Sequence, residues 1–208
     1  METATKTPTR YAFIDVQNTE GTVNQILGFV IDWQKMYQYL KGQWNCEKIF
    51  FYSGVNEGDE NKTTEYLGLT KLGYEMHSKP YKIYKNPDKI VKIICPKCSN
   101  EIDYKIDGSV RWKSNCDAEL SVDVTNLAKD GVEFLIFSGD GDFEYVIRNA
   151  VEKGVKVYIV SSAKKIKTAP RYSISRFSTK LRDLVAEKKD SVFYVDINLW
   201  KMKIKKDI

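Results

Sequence analysis

Histidine is almost missing from this chain: one residue, His77, among 208. A Ser-His-Asp hydrolytic set is excluded with it, because His77 has no glycine-flanked nucleophilic serine to serve. The glycine-rich P-loop pattern is absent too, which argues against ATP hydrolysis. Cysteine is scarce, at four residues, and the opening METATKTPTR lacks the apolar stretch of a secretory leader. A disulfide framework is therefore not expected; a cytoplasmic location is, with thiols that either bind metal or pack reduced. No window approaches the roughly 20 uninterrupted apolar residues of a membrane span, so no membrane partner is expected. With only 5 Pro and 12 Gly, collagen-like and globally disordered classes fall away. What is present is 42% hydrophobic and 12% aromatic residues, enough for one core, and the length suits a single domain over 1–208.

The net charge of +5 is too small to mark a nucleic-acid binder by itself, but it is unevenly spread. From Ser161 to Ile208 there are 13 basic and 5 acidic residues. Hydrophobic patterning alternates along the chain. Tyr11–Val16, Lys48–Tyr52, Tyr74–His77, Val132–Phe137 and Val155–Val160 read as buried strands, and Asn24–Leu40, Asn61–Leu72 and Phe143–Lys153 as helices. Such alternation predicts an α/β fold, a three-layer α/β/α sandwich around a mostly parallel sheet. One segment, 89–113, departs from the rhythm and reads as a small β insertion. Within it, IDYKI and SVRWK flank Asp107-Gly108, a two-residue hairpin signal.

Open α/β sheets bind ligands at the carboxyl ends of their strands, and the acidic residues fall there. Asp15 ends the first strand, with Asn18 in the loop after it; Asp140 and Asp142 follow VEFLIF in SGDGDF; Asp117 opens a helical stretch. Carboxylates brought together repel one another unless a cation lies between them, and hard oxygen ligands suit Mg²⁺ or Mn²⁺. Taken singly, each aspartate could equally cap a loop or a turn.

Three motifs carry a family resemblance: D-x-x-N at Asp15 and Asn18, K-x3-D-x5-D at Lys113, Asp117 and Asp123, and SGDGDF from Ser138 to Phe143. In this order and spacing they resemble the NYN domain of the LabA-like group, within the PIN-like nuclease superfamily. The resemblance implies a five-stranded, largely parallel sheet of Rossmann-like type and metal-dependent ribonuclease activity. By the same resemblance Asp15, Asp117 and Asp140 form the metal-binding core, and Asp142 is a further ligand or water-orienting base. Asn18 would fix a ligand or phosphate, and Ser138 would support the loop. Asp123 matches too, but six residues along a helix turn it about 120° from Asp117, so a supporting role is expected. A catalytically inactive RNA-binding or regulatory protein of the same fold is the alternative.

Cys95-Pro96-Lys97-Cys98 is a knuckle of the kind that gives two thiolates to structural zinc, and Cys116 follows 18 residues past Cys98. A fourth ligand would come from Cys46, His77, Asp117 or a partner molecule; the other reading is that the thiols merely pack. A zinc there would pin the insertion next to Asp117. For RNA, Lys164, Lys165, Arg171, Arg176 and Lys180 supply a basic track with Tyr172 and Phe177 for base stacking, which Lys113 and Arg148 extend. The closing KMKIKK (201–206) is expected to fray, and homodimerisation is an expectation by analogy alone.

Overall fold

The structure is a computed structural model that describes residues 8–56, 58–113, 116–169 and 172–207. The first half of the chain runs β1 (Thr9–Asp15), α1 (Val16–Gly21), α2 (Trp33–Gly42), β2 (Cys46–Val55), α3 (Glu60–Leu72), β3 (Glu75–Pro80). Two small ladders follow, built from β4 (Lys82–Lys85), β5 (Lys89–Ile94), β6 (Glu101–Ile106) and β7 (Val110–Lys113). The second half runs α4 (Asp117–Leu127), β8 (Val132–Phe137), α5 (Glu144–Glu152), β9 (Lys156–Ser161), β10 (Ile166–Ala169), β11 (Tyr172–Ile174), α6 (Thr179–Glu187), β12 (Val192–Asp196), α7 (Lys201–Ile204). Among the described residues no helix is long and apolar enough to cross a membrane.

The fold class is the expected α/β sandwich, with six strands rather than five. Their order is β12-β9-β8-β1-β2-β3, and every neighbouring pair is parallel. The extra strand, β12, is an edge strand of five residues, largely half-buried, so it lacks the continuous apolar run that marks β8. Side chains alternate between two cores. Tyr11, Phe13, Phe134 and Ile136 pack beneath α4, α5 and α6. Ala12, Ile14, Leu135 and Phe137 pack with residues of α1, α2, α3 and α7 on the other face.

Two expected elements are arranged differently. The helix read over Asn24–Leu40 is broken: a π-helical turn spans Thr22–Leu27, Gly28 takes a left-handed φ of 70°, and Asp32 starts α2 by accepting from the N–H groups of Gln34 and Lys35. Ile26, Ile31 and Trp33 are buried as a continuous helix would have them, but so is Phe29 while Val30 is 56% exposed, so the burial follows the core and not a helical period. The insertion pairs otherwise than expected. Asp107-Gly108 does not join two partnered strands; β6 pairs with β5 and β7 with β4, both antiparallel. The chain crosses from one ladder to the other at Gly108, whose N–H donates to Asp88 Oδ1 at 2.8 Å. Paired structure therefore begins at Lys82, ahead of the 89–113 boundary.

The closing segment is not a frayed tail. Ile204 is fully buried, its carbonyl accepts from Asp32 N–H at 2.8 Å, and Lys206 N–H donates to Val30 at 2.9 Å. Ile204→Ala is expected to lower the unfolding free energy by about 2–5 kcal/mol in urea titration, whereas truncating a frayed tail would change nothing.

Candidate active site

β1 and β8 end side by side, with Ile14 paired to Phe137, and the chain leaves each strand through a turn that an aspartate caps. Asp15 Oδ1 accepts from Asn18 N–H at 3.1 Å at the start of α1. Asp140 Oδ1 accepts from Asp142 N–H at 3.0 Å in the 3₁₀ turn Gly141–Phe143. Buried Ser138 joins the two: its hydroxyl donates to Asp15 Oδ2 at 3.1 Å and accepts from Asp140 N–H at 3.2 Å. Across the same gap Asn18 Oδ1 accepts from Gly139 N–H at 2.9 Å. The Thr19 hydroxyl lies 2.7 Å from the Asp15 carbonyl and 3.1 Å from that of Phe137. Gly139 cannot be larger, because a Cβ there would stand 1.8 Å from the Arg176 carbonyl. Ser178 N–H donates to the Gly139 carbonyl at 2.9 Å and holds that approach.

Asp117 arrives from a third segment as the first residue of α4, four positions after β7 ends. An open cleft of about 610 Å³ collects Asp15, Asn18, Asp117, Asp140, Asp142 and Arg176 on its walls. All five acidic and amide residues expected in the site thus face one space. Burial pushes the Asp15 carboxyl up to about 6, and the charges of Asp117 and Asp140 add to the rise. The Asn18 N–H and the Ser138 hydroxyl oppose it.

The donor chemistry suits a hard divalent cation. Among the described residues no group of three or more His, Cys, Asp or Glu forms a ready ligand shell. Mg²⁺ fits such an open arrangement, since it commonly keeps several waters and takes one or two carboxylates together with substrate phosphate oxygens.

Asp123 lies outside the cleft lining and accepts from the Tyr52 hydroxyl at 2.7 Å; His77 Nε2 is 3.6 Å away, with its ring stacked on Tyr52. Tyr52 lines the cleft, so Asp123 reaches the site through that phenol. Glu20, Lys62, Tyr66 and Tyr81 also line it. No motif marks them in the sequence. They arrive through the placement of α1, α3 and the β3–β4 connection.

The cysteines do not gather as a set of three. Cys116 is buried in the cleft wall, its thiol 3.6 Å from the Ser53 carbonyl, and Cys46 is buried in the opposite core, where loss of solvent pushes its thiol up to about 12. Cys95 and Cys98 sit at the tip of the β5–β6 hairpin. The expected set of Cys95, Cys98 and Cys116 is therefore divided, because Cys116 belongs to the packing at the start of α4.

Of the basic track, Arg176 lines the cleft and donates through Nη2 to Gln25 Oε1 at 2.7 Å. Its guanidinium lies where a side chain on Gly21 would be, within 2.7 Å of that glycine's notional Cβ. Lys180 approaches Gly141, and Lys164 and Lys165 are exposed after β9. Arg148 is a correction: it pairs with Glu144 at 2.7 Å and Glu187 at 2.8 Å, joining α5 to α6 away from the cleft. Phe177 is another, buried against Tyr194 and closed to bases. Arg171 and the Lys113 and Tyr172 side chains lie outside the described residues.

Because the folded protein holds the Asp15 proton to about 6 against an ordinary 3.8, stability falls as pH rises through that window. Asp15→Asn, which keeps the helix cap, is expected to stabilise metal-free protein at pH 7.5 by up to about 2–3 kcal/mol. The gain should vanish near pH 3.5 in thermal melts across a pH series. Added Mn²⁺ should raise the melting temperature of the wild type and not of the variant.

The NYN domain family matches residues 11–181. The Low amplitude and bright protein LabA of Synechococcus elongatus is 24% identical over 172 residues, covering 82% of this chain and 83% of that protein. A crystal structure of a Vibrio parahaemolyticus protein of unknown function superposes with a TM-score of 0.58 at 20% identity, over 93% of this chain and 96% of that one. That superposition shows a shared fold. The match spans β1 with Asp15 through the SGDGDF loop and into α6, and this chain belongs to the NYN domain family, a branch of the PIN-like nuclease superfamily.

Proposed function

We propose that this protein is a ribonuclease, dependent on Mg²⁺ or Mn²⁺, that hydrolyses phosphodiester bonds within single-stranded or structured RNA. One observation carries the reading: three separate segments bring Asp15, Asp117, Asp140 and Asp142 to one cleft, where burial, with smaller contributions from the charges of Asp117 and Asp140, raises the Asp15 carboxyl. When bound, a divalent ion supplies charge neutralisation at the scissile phosphate and a water of lowered pKa.

Asp15, Asp117 and Asp140 are the residues to hold the ion. Ser138 and Asn18 keep the first and last of these in register by tying β1, α1 and the SGDGDF loop together. Asp142, exposed two residues beyond Asp140, accepts the proton of the attacking water at its carboxylate. Arg176 directs its guanidinium to a phosphate beside the carboxylates, and Lys180, Lys164 and Lys165 lead the strand towards it. An RNA-binding protein that does not cut is the second reading, which would use the same cleft and basic residues without turnover.

Labelled single-stranded and hairpin RNAs incubated with each metal separate these readings. The expected result is cleavage that EDTA stops and that Asp140→Asn and Asp15→Asn each slow by on the order of 10²-fold or more, with the fold retained by circular dichroism. RNA that the wild type binds and never cuts would overturn catalysis and leave the second reading. A further comparison concerns the track: Arg176→Ala is expected to raise KM several-fold with kcat little changed, and Arg148→Ala to leave both as they are.

A further inference from the structure

The β5–β6 hairpin is a feature that the cleft does not use. Among the described residues no other strand pairs with either of its strands, and every residue of both is exposed. Its two faces differ. The pairs Val91↔Tyr104 and Ile93↔Ile102, with Ile106 opposite Lys89, put five apolar side chains and one cation on one face. The other face carries Lys92 with Asp103, Ile94 with Glu101 and Ile90 with Lys105, and Lys92 pairs with Glu101 at 2.9 Å. The five apolar side chains are between 41% and 56% exposed. A two-stranded hairpin is marginal alone in water and gains stability when an apolar face is covered.

The tip has the build of a metal knuckle. Cys95 N–H donates to the Asn100 carbonyl at 3.0 Å, Ser99 N–H donates to the Cys95 carbonyl at 2.9 Å, and Ser99 takes a left-handed φ of 57° to close the turn. The backbone N–H groups of Lys97 and Cys98 both point at the Cys95 sulfur, and the Cys98 thiol stands beside it. Hydrogen bonds of this kind orient thiolate ligands. A structural zinc needs four ligands, commonly thiolate or imidazole. Among the described residues, no third His, Cys, Asp or Glu joins Cys95 and Cys98. The other two cysteines are buried in the two cores, and His77 stacks on Tyr52.

We propose that Cys95 and Cys98 form half of a tetrahedral tetrathiolate zinc site that a second copy of this chain completes, the two hairpins packing by their apolar faces. A two-fold axis running along the hairpins brings both tips to one point and both apolar faces together. Each face then meets its own like, with no charge buried except at Lys89, which lies at the base and can turn its amine to water. The site is independent of the nuclease reading, since neither thiol lines the cleft.

The test uses the full chain, produced with zinc in the medium and purified without chelator. Elemental analysis with light scattering is expected to give one zinc per two chains and twice the chain mass. X-ray absorption should show four sulfurs at about 2.3 Å. Cys98→Ser should remove the zinc and raise the dimer dissociation constant at least tenfold, and Ile93→Lys should weaken the dimer while the core keeps its circular dichroism. Zinc-free protein, one zinc on each monomer, or a Cys98→Ser dimer as tight as the wild type would each overturn the proposal.

Discussion

The Ser138 hydroxyl bridges two carboxyl-bearing turns at the ends of β1 and β8, and the rest of the cleft is hung from that bridge. In a parallel sheet the chain leaves the strands at one edge. Here it departs from β1 towards β2 and from β8 towards β9, in opposite directions, so a crevice opens where the order reverses. Backbone groups in that crevice lose their ladder partners and must be satisfied by side chains. Thr19, Asn18 and Ser138 do this, and in doing so they fix where Asp15 and Asp140 point. Burying the Asp15 carboxyl opposes folding, a common cost where an ionisable group is held for chemistry.

Much of this was legible in the sequence because burial on both faces leaves an unbroken apolar signal. VEFLIF is buried at all six positions, and the polar SGDGDF that follows can only be the exit of a central strand. Asp15 is legible for the same reason. Edge elements carry no such signal: β12 is largely half-buried, and α7 contributes its burial through Ile204, amid lysines that read as a solvated tail. The region from Phe29 to Trp33 deceives in the other direction, since irregular chain that presses Phe29, Ile31 and Trp33 on a core is as dense in apolar residues as a buried helix.

Partners distant in sequence account for the remaining differences. The Glu144–Arg148 pair is an ordinary i,i+4 contact visible in the sequence, but the Glu187 carboxylate that completes it comes from α6, and only the fold brings it there. Phe177 sits among basic residues in the sequence and against Tyr194 in space. Asp107-Gly108 has the chemistry of a tight turn, yet β6 pairs with β5 across the turn at Cys95–Asn100, and the glycine passes so close to Asn86 that no Cβ would fit.

The β4–β7 ladder holds Lys82–Lys85 against Val110–Lys113, so the chain enters and leaves the insertion at a single point. Everything between these strands behaves as a loop on a stem. The residue that opens α4 stands four positions past the stem, on a helix that Leu120 and Val124 hold in the core. A change within such an appendage has one place, its root, through which it can reach the cleft at the end of the sheet.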